Sequence, residues 1–361
     1  MTLIIGSFFY IGEAEGISKN AMSLYLSVKR KCSDVKFLAP IIEASEWNRR
    51  GRVYLKCTWN WMRYLKKLSS TDLLHLHFSI PSSVFFLKYL NQKTKKIVIQ
   101  LWNPYFVGEY SSALHMLANS KFMTKRMLTG INYPIVVSSQ FMMKQMQDLG
   151  LRNNIYLLPA GVDTKTFCPP SKGNVARDKI RLLYYGHLTP NKGVKNLIGA
   201  IPRIIQEFKD LELHIYWSGY GNREEIDGLI KKLNLQNYVT VWKEKTNVPS
   251  LLRTADIGIL PLVSPVGTAS PPVSLLEMMA SKIPVVATNV GGISEILQDG
   301  VNGILCEPNE ESLAKGIIRL IQDRRLREKI GEEARKLMVE NFDWEVVADR
   351  YLDFYEDIAN A

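Results

Sequence analysis

"GTASPPVSLLEMMASKIPVVATNVGG", residues 267–292, reads as a loop, a short helix, a buried strand and a glycine turn. Pro271 and Pro272 stop any earlier helix, and the β-branched run PVVATNV is too apolar for a strand with one wet face. A short helix feeding a doubly covered strand is the repeating unit of a parallel sheet. One residue stands out: Glu277 is a carboxylate inside an otherwise apolar helix. Ser274 falls near the first turn, so the backbone amides of Ser274, Leu275 and Leu276 are expected to face a bound anion. Glu277 lies one turn further in, suited to a neutral hydroxyl such as those of a ribose. The plainer alternative for a lone helical glutamate is a solvated side chain.

The same rhythm runs outward in both directions. LIIGSFF, VKFLAP, DLLHLHF, KIVIQLW, PIVVSS and IYLLPAG are expected strands of the first half, with PSSVFFLKYLNQ and QFMMKQMQDLG among the helices between them. IRLLYYG, LELHIYWSG, YVTVW, DIGILPL, PVVATNV and GILCEP restart the alternation in the second half, with helices from VKNLIGAIPRIIQEF to LAKGIIRLIQD. FCPPSKGNVARD (167–178) interrupts all periodicity and is taken as the linker. At 361 residues the chain exceeds what one core usually organises. The expectation is therefore α/β: two doubly wound, Rossmann-like domains, 1–168 and 169–342, facing a central cleft at the carboxyl ends of their sheets. The tail DWEVVADRYLDFYEDIA, within 343–361, is an amphipathic helix with Trp344, Val347, Tyr351 and Tyr355 near one face, able to pack back on the first domain.

Two further loops of the second half have a phosphate-friendly design. YYGHLTPNKGVKNLI (184–198) leaves a strand at Gly186 and enters a helix near Gly193, with Lys192 at the junction. WSGYGN (217–222) ends a strand and carries Gly219 before a helix that starts near Asn222. Glycines allow close approach and helix starts offer free amides, although each loop taken alone is equally an ordinary turn. Together the three loops point to a nucleoside diphosphate.

Charge separates the halves. Residues 1–170 hold 22 Lys+Arg against 9 Asp+Glu and residues 171–361 hold 24 against 26, so the net charge of +11 arises wholly in the first half. Such a field draws anionic ligands or surfaces. RRGRVYLKCTWNWMRYLKK (49–67) mixes cations with aromatics, and a helix from about Thr58 would present Trp61, Tyr64, Leu65 and Leu68 on one face. Trp59, Trp61, Arg63, Lys66 and Lys67 are accordingly expected at an anionic membrane surface or acceptor, as is the similar patch KFMTKRML (121–128). A core-facing helix with solvated cations is the alternative. No nucleic-acid motif accompanies the charge. His75 and His77 lie two apart on a strand and share a face, but no third metal ligand is apparent, and satisfied or edge histidines are the expectation. The four cysteines lack metal or redox spacing, which suggests reduced thiols. The start has no signal-peptide charge pattern and no run approaches the ~20 apolar residues of a membrane span. The chain is expected in the cytoplasm, or peripherally on the inner membrane face.

GHLTPNKGVKNLIGA (186–200), SGYGN (218–222) and PPVSLLEMMASKIPVVATNVGGISEILQDGVNGILCEPN (271–309) together resemble the second domain of retaining nucleotide-sugar glycosyltransferases of the GT-B fold, specifically glycosyltransferase family four. DLLHLHF (72–78) and the GVD-x-x-x-F-x-P junction at 161–169 agree more loosely. The resemblance implies transfer of a sugar from a UDP- or GDP-sugar to a glycan or lipid-linked acceptor, with retained configuration and no required metal or other cofactor. No Asp-x-Asp occurs here, in keeping with leaving-group stabilisation by a lysine and helix-end amides. It further implies that Lys192 and Glu277 are the central pair, with Glu277 on the donor ribose. Gly186, His187, Gly193, Gly219, Ser274, Leu275 and Leu276 line the donor. Within the opening loop YIGEAEGISKNA (10–21), Gly16 is expected to let donor phosphates or acceptor approach, with a plain strand-to-helix turn as the alternative. Three positions depart from the family pattern. Ala269 stands where a second glutamate reaches the transferred sugar, His187 replaces an arginine with a weaker, pH-dependent cation, and Trp102 and Asn103 stand where a strand-end histidine is common. A catalytically degenerate relative that binds nucleotide sugar or scaffolds a partner is the rival reading; an epimerase or phosphorylase on the same architecture is a second.

Overall fold

The structure is a computed structural model and describes residues 2–7, 16–39, 57, 59–61, 63–64, 72–78, 96–102, 120–129, 131–152, 154–170, 178–243, 247–266 and 268–360. The chain divides into two units, one of residues 1–161 with 344–361 and one of residues 162–343. In chain order the first contains β1 (Leu3–Ser7), α1 (Gly16–Lys31), β2 (Val35–Leu38), β3 (Leu73–Phe78), β4 (Ile97–Leu101), α2 (Lys121–Leu128), β5 (Ile135–Val137), α3 (Gln140–Asp148) and β6 (Ile155–Leu157). The second contains β7 (Ile180–Leu188), α4 (Val194–Glu207), β8 (Leu211–Gly221), α5 (Arg223–Lys232), β9 (Val239–Trp242), α6 (Val248–Leu252), β10 (Ile257–Leu260), α7 (Val273–Ala280), β11 (Val285–Thr288), β12 (Ile304–Cys306), α8 (Glu310–Gln322) and α9 (Arg324–Leu337). The chain then returns to the first unit as α10 (Trp344–Asn360).

The first unit is a parallel sheet in the order β2-β1-β3-β4-β5-β6. Every residue of β1, β3 and β4 is buried, which is why these segments are mostly apolar, with Ser7, His75, His77 and Gln100 as their buried polar residues. One face is covered by α10: Trp344, Val347, Tyr351, Phe354 and Tyr355 pack with Ile5, Leu24, Leu73 and Val98. Surface ion pairs from Arg30 to Glu345 and from Lys31 to Asp349, each 2.6 Å, tie α1 to α10 and add little to that burial. Trp61 is 2% exposed and belongs to this unit's interior; a Cβ on Gly6 would come within 2.6 Å of its ring. The expectation that Trp61 faces lipid is therefore corrected: the helical spacing is right, but the aromatic face is turned inward, with Tyr64 edge-on to the indole at 5.9 Å. Trp59, 61% exposed, and Arg63 do face solvent, while Lys66 and Lys67 lie outside the described residues.

The second unit is also parallel, in the order β12-β11-β10-β7-β8-β9. From β7 the chain builds outward through β8 and β9, then returns to the other side of β7 with β10 and builds outward again. The reversal between β7 and β10 is the topological switch point of this sheet, the usual position of ligands in open α/β folds. Leu197, Ile198, Ile201 and Ile204, spaced three and four apart on α4, form the apolar stripe that covers β7 and β8 together with Leu182, Leu213 and Ile215. Residues 162–168 fall in this unit. The Val162 amide donates to the Phe342 carbonyl at 2.8 Å, Thr164 donates through its amide and hydroxyl to Asp343, and Arg335 Nη1 donates to the carbonyls of Thr164, Phe167 and Ala280 at 2.9, 2.7 and 2.6 Å. Residues 171–177 of the expected linker lie outside the described residues.

Candidate functional site

The residues singled out in the second unit converge on the β7/β10 switch point. β7 runs to Leu188 with a bulge at Gly186–Leu188, and Pro190–Lys192 form one 3-10 turn before α4. Gly193 joins turn to helix at φ +66°, and a Cβ there would sit 1.7 Å from the Pro261 carbonyl oxygen, so only glycine lets this loop pass against the segment leaving β10. The two loops are knitted directly. The Val263 amide donates to the Asn191 carbonyl at 3.0 Å, and the Asn191 side-chain amide donates to the Val266 carbonyl at 2.8 Å.

Lys192, at the end of that turn, is partly withdrawn from water, and among the described residues no carboxylate pairs with it. Desolvation without a counter-charge lowers its pKa to about 8. A cation so placed, with no counter-charge among the described residues, is chemically able to receive an anion. His187 is the second nitrogen base of the loop, and burial, then the neighbouring Lys192 charge, depress its pKa to about 4. This corrects the expectation of a pH-dependent cation: in the ligand-free protein His187 is a neutral imidazole at physiological pH, set 4.9 Å from the Tyr220 ring. Gly219, at φ +94°, has open space where a Cβ would stand, whereas a Cβ on Gly221 would strike Leu188 at 2.2 Å.

α7 begins at Val273 with Pro272 as its cap. The Leu275 amide donates to the Pro272 carbonyl at 2.9 Å. Leu275 therefore does not present a free amide, contrary to expectation; Val273 and Ser274 precede it in the first turn, and their amides have no partner among the described residues. Both leucine side chains are buried, as is every residue from Leu275 to Ala280. Glu277 is 3% exposed, so it is not a solvated side chain. Its Oε2 accepts a 2.7 Å hydrogen bond from the hydroxyl of Tyr185, which also lies 3.2 Å from the Ser274 carbonyl. Tyr185, on β7 immediately before Gly186, was not among the sequence candidates; the Tyr-Tyr-Gly strand end was the only signal. Ala269 is buried at 2% beside Thr268, whose carbonyl approaches Gly291, a residue at φ +64°.

In the first unit Gly16 opens α1, and residues 8–15 of its loop lie outside the described residues. His75 and His77 are wholly buried on β3 and share a face, with ring centres 4.5 Å apart. His75 Nδ1 lies 2.6 Å from the Tyr355 hydroxyl, while its Nε2, both nitrogens of His77 and the indole nitrogen of Trp102 find no hydrogen-bond partner among the described residues. Neither edge position nor full satisfaction holds, and burial pushes the His77 pKa down to about 3.

Residues 170–337 match the family described as glycosyl transferases group 1. An uncharacterized glycosyltransferase of Methanocaldococcus jannaschii is 32% identical over 186 residues, 50% of this chain and 46% of that protein. The chain thus spans about half the length of that relative. The phosphatidyl-myo-inositol mannosyltransferase of Mycobacterium tuberculosis is 28% identical over 305 residues, 80% of this chain and 75% of that protein. Among solved structures, Anabaena HepE in complex with UDP superposes at a TM-score of 0.73 with 16% identity, covering 99% of this chain and 100% of that one. The fold is that of the GT-B glycosyltransferases, two parallel six-stranded sheets with their helices.

Proposed function

We propose, with the group 1 glycosyl transferase match of residues 170–337 as premise, that this chain moves a sugar from a nucleoside-diphosphate sugar to an acceptor hydroxyl with retention of configuration. The observation that carries the reading is the convergence at one switch point of an unpaired, desolvated lysine, two first-turn amides and a buried carboxylate. The diphosphate lies against Lys192 and the amides of Val273 and Ser274, and Glu277 accepts from a ribose hydroxyl. As the bond from the sugar's anomeric carbon to the β-phosphate oxygen breaks, negative charge gathers on that phosphate. Lys192 and the helix start stabilise it there. The acceptor oxygen bonds to the anomeric carbon on the same face, and its proton passes to the departing phosphate oxygen. This route needs no protein base at the acceptor.

Two features support a glycan or lipid-linked acceptor reached from an anionic membrane: the positive excess of the first half and the surface of α2. There Phe122, 72% exposed, stands among the exposed side chains of Lys121, Lys125 and Arg126. Among the described residues no helix is long and apolar enough to cross a membrane. A binding or scaffolding role is favoured instead by Ala269, which offers no carboxylate to the transferred sugar. A thermal-shift screen over UDP-, GDP- and ADP-sugars, followed by assay of nucleoside diphosphate release, separates these readings. Stabilisation with turnover is expected for wild type and loss of both for Lys192→Ala. Stabilisation without turnover supports the binding subunit, and no stabilisation by any sugar nucleotide overturns both.

A further inference from the structure

We propose that Tyr185 is a positioning residue for the nucleotide, its hydroxyl fixing the Glu277 carboxylate in the orientation that receives the ribose. The inference rests on the reading of Glu277 as ribose ligand given above.

Glu277 is the fifth residue of α7, and side chains on a helix lean toward its N-terminus. Its carboxylate therefore lies back over the first turn, beside the Ser274 carbonyl. Tyr185 meets it there from β7. Successive strand residues point to opposite faces, so the Tyr184 hydroxyl serves its own loop by donating to the His187 carbonyl, while the Tyr185 hydroxyl reaches α7. A phenol has one proton to donate and this one has two acceptors in range. The carboxylate oxygen at 2.7 Å, charged and nearer than the carbonyl at 3.2 Å, takes it. Burial, then the Glu277 charge, holds the phenol pKa well above its usual value, so Tyr185 donates at every pH the protein meets. A glutamate free to rotate about three side-chain bonds could turn either oxygen away from a sugar. One anchored through Oε2 cannot. The anchor also comes from the strand that leads through Gly186 to Lys192, so the group on the ribose and the group on the phosphate share one rigid support.

Tyr185 acts through Glu277, and its loss should blunt discrimination between ribose and deoxyribose. A merely structural change would weaken every nucleotide alike. UDP and GDP, with their 2′-deoxy and 3′-deoxy forms, are titrated calorimetrically into the full chain as wild type, Tyr185→Phe, Glu277→Gln and the double variant. Wild type is expected to bind at least one deoxy form about tenfold more weakly than its parent. In Tyr185→Phe that ratio falls to about threefold or less, and in Glu277→Gln the tyrosine change has no further effect on it. Melting curves report folding, and Tyr185→Met, which fills the site without a hydroxyl, reads the same ratio should the phenylalanine variant fail to fold. An undiminished ratio in a folded Tyr185 variant overturns the inference and leaves Glu277 on the ribose. A wild-type ratio of one overturns the inference together with that assignment, and an absence of any nucleotide binding overturns the proposed function as well.

Discussion

Raising the pH from 7 to 9 should weaken nucleoside diphosphate binding about tenfold through Lys192 alone. With a pKa of about 8, the ammonium is charged in about nine molecules in ten at pH 7 and in about one in ten at pH 9. The terminal phosphate of UDP or GDP loses its last proton near pH 6, so the diphosphate charge does not change across this window. Only the charged lysine stabilises the diphosphate. The dissociation constant should therefore be flat below about pH 7 and climb toward tenfold per pH unit above the lysine pKa. Calorimetry in buffers of different ionisation enthalpy gives an independent reading, because binding must take up a proton in a fraction that rises toward one as pH passes 8. Lys192→Met should flatten the profile and, at pH 7, weaken binding by about 1.5–3 kcal/mol, the worth of a charge-assisted hydrogen bond. Equal constants for wild type at pH 7 and pH 9, or a pH dependence that persists in Lys192→Met, would refute the reasoning.

The same lysine should cost stability when no ligand is bound. Its folded pKa is below the unfolded value, so the unfolded chain holds more protons between about pH 8 and 10.5 and stability rises with pH there. Lys192→Met should accordingly melt at least about 2 °C higher than wild type at pH 7, the shift that about 1 kcal/mol gives a unit of this size. His75 and His77 give a dependence in acid. Both folded pKa values are lowered by burial, so unfolding takes up protons as pH falls from the ordinary histidine value toward about 3, and stability, complete above about 6.5, drains away across that window. His77→Phe should reduce the slope of melting temperature against pH between 6.5 and 4.5; an unchanged slope would show that other groups govern it. Gly193→Ala, forced into positive φ with its Cβ on the Pro261 carbonyl, should lose upward of about 3 kcal/mol in urea unfolding or fail to fold.

The fold was legible because burial on both faces leaves its mark on each strand. β3, β4, β10 and β11 are all buried and all read as mainly apolar runs, and the α4 and α8 stripes recur at helical spacing. Lys192, Gly193 and Glu277 were legible for a different reason: each breaks a local rule, and the structure gives the reason in the Pro261 carbonyl for Gly193 and the Tyr185 hydroxyl for Glu277. Properties set by contacts between distant segments were not. Trp61 looked like a membrane aromatic because spacing fixes which residues share a face but not which way the face turns; Gly6, fifty-five residues away, supplies the recess. His187 looked like a cation because its type suggests one, and only burial beside Lys192 removes the charge. At the first turn of α7 only the Leu275 amide departs from expectation, since whether it closes a tight bond to Pro272 is settled by cap geometry.

The first unit draws on both ends of the chain, and this has a consequence for biosynthesis. Trp344, Val347, Tyr351 and Tyr355 complete a core whose other members, Leu3, Ile5 and Leu24, are translated more than three hundred residues earlier. The 162–343 unit is contiguous and can close as soon as it clears the ribosome. The unit that is begun first must instead wait, with its β1–β3–β4 face uncovered, until α10 emerges. Of these two units, the one begun first is therefore the later to be completed, and it carries the longer need for chaperone protection.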